Sequence, residues 1–278
     1  MEYNFCINGI PFQKDNINID VFTFPGGEPH VKLDTFKEEL PGAKVNISVR
    51  LNSFNDLGKL LILCDAIKNL KGSINTIYIP YFPGARQDKK VIAEAFTVKI
   101  YADIINNLGA NEIVICDPHS EVAPGLLNNV KILSQEDIWK KYIKEQIVKN
   151  QNFVYISPDQ GASKKTKLLA GNNEIIYCTK QRDLKTGRLS GFTVNANSLK
   201  AKHGIIIDDI CDGGGTFIGL AKELRKKGME KLTLCVTHGI FSKGFEVLWE
   251  YFDSIHTTNS IKSHYPKEVK MLNLKFND

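Results

Sequence analysis

Short β-rich runs alternate along the chain with longer stretches of helical period. Runs at Val45–Leu51, Ile74–Pro80, Glu112–Asp117, Phe153–Ser157, Glu174–Cys178, Gly204–Asp209 and Lys231–Thr237 read as strands. Between or after them, Asp56–Lys71, Ala93–Leu108, Glu136–Lys149, Ser163–Ala170, Gly215–Lys227 and Lys243–Tyr251 read as helices. In the first of these, Leu57, Leu60, Leu61, Cys64 and Ile67 make one apolar stripe, while Lys59, Asp65 and Lys68 fall mostly elsewhere. The strand runs are continuously apolar, as in Ile205-Ile206-Ile207, rather than alternating. Such strands are buried on both faces, which means parallel sheet covered by helices. An α/β architecture is predicted.

Four of these strands end in a polar cluster: Asp117-Pro118-His119-Ser120, Ser157-Pro158-Asp159, Asp208-Asp209 and Thr237-His238. Open α/β sheets bind ligands at the carboxyl ends of their strands, so these clusters stand where a site is expected. At 278 residues the chain exceeds an ordinary single domain. Two domains are predicted, 1–139 and 140–278, with the boundary set by the polar stretch Leu133-Ser134-Gln135-Glu136-Asp137.

Composition narrows the function. No apolar run approaches the roughly 20 residues that span a bilayer. The opening Met1-Glu2-Tyr3-Asn4-Phe5 lacks the basic start and apolar core of a signal peptide. A cytoplasmic protein without a membrane partner is expected. Cysteines 6, 64, 116, 178, 211 and 235 lie far apart and form no C-x-x-C pair, so they read as small buried hydrophobes. The net charge of +5 suits anionic substrates. Lys and Arg are spread along the chain, however, and no nucleic-acid partner is expected.

The sharpest motif is Ile205-Ile206-Ile207-Asp208-Asp209-Ile210-Cys211-Asp212-Gly213-Gly214-Gly215-Thr216, opening a helix. Gly213, Gly214 and Gly215 let backbone N–H groups approach an anion, Thr216 adds a hydroxyl, and the helix adds the positive end of its dipole. Paired carboxylates would repel a bare phosphate, so they should face hydroxyls or a metal. A sugar phosphate carries both kinds of group. The segment closely resembles the phosphoribosyl pyrophosphate loop of type I phosphoribosyltransferases and their relatives. That resemblance implies that the loop holds the 5-phosphate and that the leading acids contact ribose hydroxyls. Taken alone, it leaves open a transferase that consumes phosphoribosyl pyrophosphate and a synthetase that makes it.

A second motif separates the two. Ile79-Pro80-Tyr81-Phe82-Pro83-Gly84-Ala85-Arg86-Gln87-Asp88-Lys89-Lys90 places basic groups after a strand, and Arg86 can grip phosphate oxygens in a bidentate fork. It resembles the "PYxxYARQD" segment of ribose-phosphate pyrophosphokinases, which simple phosphoribosyltransferases lack. Phe24-Pro25-Gly26-Gly27-Glu28 resembles that family's "FSDGE" nucleotide-binding turn. Asn52-Ser53 and the helix through Asp65-Ala66-Ile67-Lys68 resemble its early region. Asp117-Pro118-His119-Ser120 is similar to its "DLHA", Ser157-Pro158-Asp159-Gln160-Gly161 to "SPDxG", and Lys180-Gln181-Arg182 to the "KRR" of a flexible catalytic loop. Thr237-His238 and Thr258-Asn259-Ser260-Ile261 match late landmarks, so the resemblance covers about residues 20–262.

The resemblance implies two type I phosphoribosyltransferase-like domains, the first contacting ATP and the second binding ribose 5-phosphate. It implies transfer of the β,γ-pyrophosphoryl group of ATP to the C1 hydroxyl of ribose 5-phosphate, giving phosphoribosyl pyrophosphate and AMP. Gly26, Gly27, Glu28, Arg86 and Gln87 would contact ATP. Asp208, Asp209, Asp212, Gly213, Gly214, Gly215 and Thr216, with Arg182, would bind ribose 5-phosphate. His119 and Asp159 would associate with magnesium, and Lys180 and Arg182 would be catalytic. The stretch Lys180–Gly191 has the composition of a mobile lid, and a homo-oligomer of at least two copies is expected.

Departures are also legible. Gly26 stands at the aspartate of "FSDGE", Gln160 at a histidine, Ala162 at a glycine, and the proline of "KRRP" is absent. The segment between Arg50 and Asp56 is a little short, and the chain stops at Asp278 without the family's Ser-rich end. Reduced allosteric control is expected. Two further readings remain: a phosphoribosyltransferase, and a non-catalytic pyrophosphokinase-like subunit, which would show damaged catalytic motifs.

Overall fold

The computed structural model describes residues 2–7, 9–12, 16–17, 19–33, 41–148, 152–182, 189–200 and 202–276. The chain divides into two compact units, Met1–Leu133 with Leu274–Asp278, and Ser134–Asn273. The expected boundary at 139/140 falls inside a helix, α4 (Gln135–Tyr142), which belongs wholly to the second unit. The polar run that looked like a linker is that helix's cap. Ser134 Oγ accepts from Asp137 N–H at 3.2 Å, and Asp137 Oδ2 accepts from Ser134 N–H at 3.0 Å. Polarity there satisfies orphan N–H groups at a helix start.

The first unit contains β1 (Glu2–Ile7), β2 (Asn16–Ile17), β3 (Asp20–Thr23), β4 (Pro29–Lys32), β5 (Lys44–Val49), α1 (Phe54–Asn69), β6 (Ser73–Ile79), α2 (Thr97–Asn106), β7 (Glu112–Cys116), α3 (Val122–Leu126) and β8 (Val130–Leu133). Its parallel sheet runs β2-β1-β5-β6-β7-β8, while β3 and β4 form a separate antiparallel hairpin. Leu57, Leu60, Cys64 and Ile67 on α1 pack into a core with Val45, Ile47 and Val49 of β5, as the apolar stripe predicts; Leu61 stays exposed. Helix α2 begins at Thr97 rather than Ala93, whose φ of 63° is incompatible with a right-handed helix.

The second unit follows α4 with β9 (Phe153–Ser157), α5 (Ser163–Ala170), β10 (Ile175–Arg182), β11 (Leu189–Val194), β12 (His203–Cys211), α6 (Gly215–Lys226), β13 (Lys231–Gly239), α7 (Glu246–Trp249), β14 (Ser254–Thr258) and β15 (Lys270–Leu272). Its sheet runs β11-β10-β9-β12-β13-β14-β15, parallel except for the antiparallel pair β10/β11. Ile205, Ile206 and Ile207 are fully buried, as their unbroken apolar run requires. From β9 the chain steps to β10 on one side, then crosses to β12 on the other. The carboxyl ends of β9 and β12 therefore flank a point where strand order reverses, the place where such sheets open a ligand crevice.

Candidate active site

Asp159 and the Asp208–Thr216 segment stand on the two sides of that reversal. Asp159 follows β9 on the turn into α5. Its Oδ1 accepts from Ala162 N–H at 3.0 Å, and its Oδ2 lies 2.5 Å from Lys180 Nζ on β10. Ser157 Oγ and Ser163 Oγ both donate to the Asp159 carbonyl, fixing the turn from either side. Burial alone would raise the Asp159 carboxyl. The hydrogen bond from Lys180, the Ala162 N–H, the Lys180 charge and the Gly161 N–H outweigh it and hold the group below its ordinary value. Asp159 thus ties down the turn before α5 and carries the lysine expected to be catalytic.

Across the reversal, Asp208 and Asp209 end the apolar run of β12. Asp209 N–H donates to Asp208 Oδ1 at 2.9 Å. Burial first, then the charge and hydrogen bond of Asp209 and the charge of Asp159, push the Asp208 carboxyl well above its ordinary value. The pair therefore favours holding a proton until hydroxyls or cations reach it. Gly214 takes φ 75°, which a glycine adopts without strain, and opens the twelve-residue α6. The N-cap of α6 is Gly214, which has no side chain to cap it; its N–H donates to the Cys211 thiol, and the N–H groups that follow are of the kind that hold an anion at a helix start. Asp212 Oδ1 accepts from Ser242 Oγ at 2.6 Å, a partner from the β13–α7 loop that the sequence pattern gave no means of finding.

Lys180 pairs with Phe192 in the β10/β11 hairpin, whose register shifts between Gln181 and Arg182. Phe192 packs against α6, where a Cβ on Gly219 would lie only 2.6 Å from the ring. The strand that carries Lys180 is thereby held to the helix that begins at the glycine turn. The backbone of Arg182 ends β10. Its side chain, and residues 183–188 of the expected lid, lie outside the described residues.

The remaining expected site residues belong to the first unit. Gly26, Gly27 and Glu28 form the exposed tip of the β3–β4 hairpin, closed by Gly27 N–H to Phe24 O and Phe24 N–H to Glu28 O, both 2.8 Å. A Cβ on Gly26 would stand 2.6 Å from Glu28 Oε2, so the departure to glycine gives that carboxylate room. Phe22, Phe24 and His30 cluster beside the tip with ring centroids 5.1 to 5.6 Å apart, a feature absent from the expected set. After β6, buried Phe82 and Ala85 anchor a turn, with Gln87 N–H donating to Gly84 O, and leave Arg86 and Gln87 exposed. His119 is exposed after β7. The late landmarks have structural roles. Trp139 Nε1 donates to Thr237 Oγ1 at 3.0 Å, and His238 Nδ1 lies 2.9 Å from Ser260 Oγ, all buried.

Residues 12–109 match the family described as the N-terminal domain of ribose phosphate pyrophosphokinase. The chain is 30% identical over 229 residues to a ribose-phosphate pyrophosphokinase of Mycoplasmopsis pulmonis, covering 79% of this chain and 70% of that one. To the enzyme of the same name from Mycoplasma genitalium it is 31% identical over 257 residues, covering 89% and 76%. The crystal structure of phosphoribosylpyrophosphate synthetase from Mycobacterium smegmatis superposes with a TM-score of 0.81 at 26% identity, over 98% of this chain and 94% of that one. With two relatives at this identity and coverage, the chain belongs to the ribose-phosphate pyrophosphokinase family.

Proposed function

We propose that in this ribose-phosphate pyrophosphokinase Lys180 and Arg182 supply the catalytic positive charge, while Asp208–Thr216 seats ribose 5-phosphate. The observation that carries the assignment is the placement of the Lys180–Asp159 pair and the acid-then-glycine turn on either side of one strand-order reversal. The N–H groups of Gly213, Gly214 and Gly215 and the Thr216 hydroxyl take the 5-phosphate, with Asp212 alongside. Asp208 and Asp209 accept from ribose hydroxyls, which orients the C1 hydroxyl for attack. Arg86, Gln87 and Glu28, with Gly26 and Gly27 leaving room at the turn, hold ATP. The rings of Phe22, Phe24 and His30 offer faces of the kind on which a nucleobase stacks.

In the reaction, the C1 oxygen attacks the β-phosphorus of ATP and AMP leaves. The protein's part is positioning in line and neutralising phosphate charge. Lys180 reaches that charge by loosening from Asp159, and its effect grows as water is excluded. Magnesium favours carboxylate oxygen over imidazole nitrogen. Asp159 would hold the ion through carboxylate oxygen, though it also carries Lys180, and His119 would help position it. Bound there, the ion would shield the phosphate oxygens of ATP.

We place the enzyme in the cytoplasm. Its six cysteines are all free, five of them buried, which suits a reducing compartment. No described helix is long and apolar enough to cross a membrane. Assembly into at least a dimer belongs to the same proposal, and light scattering on the purified chain tests it. The functional test is incubation with MgATP and ribose 5-phosphate while AMP and phosphoribosyl pyrophosphate are followed together. Equimolar appearance that depends on both substrates supports the assignment. Folded protein that makes neither product overturns it.

A further inference from the structure

The loop after β13 is fastened along the glycine turn. Ile240 and Phe241 N–H both donate to Cys211 O, at 2.9 and 3.1 Å, and Ser242 N–H donates to Asp212 O at 3.2 Å. Ser242 Oγ adds its bond to Asp212 Oδ1. The chain then bends, with Phe241 at φ 49° and Gly244 at 77°, and Gly244 N–H donates to Phe241 O at 3.1 Å. This bend lays Lys243 on the turn. Its Cδ and Cε would each lie 3.3 Å from a Cβ placed on Gly213. The ammonium is one bond beyond that contact.

The surrounding charges make the placement consequential. Asp208, Asp209 and Asp212 are acids beside a seat that must accept a phosphate dianion. Lys180, the lysine of β10, is engaged with Asp159. The carboxylate nearest Lys243 in sequence, Glu246, accepts from Phe245 N–H at 3.1 Å. Among the described residues Lys243 Nζ has neither ion pair nor hydrogen bond. A lysine whose stem is held against the turn while its head is uncommitted serves as a counter-charge for an anion bound there.

We infer that Lys243, positioned by the Ser242–Asp212 bond, is a binding residue for the phosphomonoester of the sugar substrate. The inference rests on the assignment of Asp208–Thr216 as the sugar-phosphate seat and adds to it a side chain from a different loop. Lys243 would strengthen binding of the phosphate in ground and transition states alike, so its loss should raise KM more than it lowers kcat.

The test is a set of variants assayed for KM and kcat, with ribose 5-phosphate binding measured directly by calorimetry. Lys243→Gln should raise KM for ribose 5-phosphate about tenfold, as expected for one charge-assisted contact. KM for ATP should move far less, and Lys243→Arg should recover most of the affinity. The affinity of the parent chain for ribose 5-phosphate should fall with added KCl more steeply than that of Lys243→Gln, a response that a packing role would not produce. Lys243 is exposed, so the thermal midpoint should hold and folding should not confuse the result. Thr216→Val, run in parallel, probes the seat. If both variants weaken ribose 5-phosphate, the inference stands. Weakening by Thr216→Val alone overturns the role of Lys243 and leaves the seat intact. If neither has an effect, the seat assignment fails and the inference fails with it.

Discussion

Lys180 and Asp159 hold opposite charges 2.5 Å apart in a half-buried setting, so each sets what the other can do. On the role proposed for it, replacing Lys180 with Ala should lower kcat by about two orders of magnitude or more, through loss of the charge assigned to the transferring group. ATP binding should hold within a few-fold, and steady-state kinetics beside equilibrium nucleotide binding separates the two. Asp159→Asn keeps the shape but releases the lysine. It should lower kcat by about tenfold and raise the reactivity of Lys180 toward amine-modifying reagents, read by peptide mass spectrometry. Unchanged Lys180 reactivity would mean that the pair does not constrain the lysine. At this scale the candidate site was legible as far as sequence neighbours carry it, because Asp208-Asp209 and Gly213–Thr216 lie together in the chain. The Ser242–Asp212 contact was not legible, since it joins positions 30 residues apart through a loop of ordinary composition.

Helix α6 and the β10/β11 hairpin meet where Gly219 faces Phe192, and that contact links the glycine turn at the start of α6 to the strand that carries Lys180. Gly219→Ala would set a methyl 2.6 Å from the ring and push the hairpin outward. The same change removes a mid-helix glycine, which favours the helix by about 1 kcal/mol. The two effects oppose each other in stability but not in function. The thermal midpoint should therefore move little while kcat falls by about three- to tenfold, the displaced residue being Lys180. A fall in stability with kcat intact would show that the hairpin position does not govern turnover. Elements with unbroken apolar runs, such as β12, were legible from pattern alone. Strand β14 was not, because its buried His256, Thr257 and Thr258 look like a surface stretch. Its polarity is met by tertiary bonds such as Thr258 Oγ1 to Thr237 O at 2.7 Å, and hydropathy carries no record of those.

The molecule carries two cores in two units, and the second has a specific weakness to acid. His203 and His256 are buried there, and each is pushed from 6.5 down to about 4. Burial is the main cause for both. The charge of Lys231 adds to it for His203, with Asp253 opposing, and the charges of Lys270 and His203 add to it for His256. His203 Nε2 lies 2.8 Å from Thr233 Oγ1, and His256 Nδ1 lies 3.0 Å from the Tyr142 hydroxyl, so both neutral rings are built into the packing. Unfolded, each histidine gains its proton near 6.5; folded, it resists until about 4. Across that window the unfolded state binds more protons. Stability is therefore complete above pH 6.5 and declines as pH falls toward 4, by up to about 3 kcal/mol per histidine. Both tryptophans of the chain, Trp139 and Trp249, lie in this second unit, so their fluorescence reports it alone, while far-ultraviolet circular dichroism reports both units. Urea titrations between about pH 7 and 4.5 should show the fluorescence midpoint falling ahead of the dichroism midpoint. His256→Gln, neutral throughout, should flatten the fall even though it lowers stability at neutral pH. If the two probes instead fall together at every pH, the two cores unfold as one cooperative body, and the acid sensitivity of the second unit sets the stability of the whole chain.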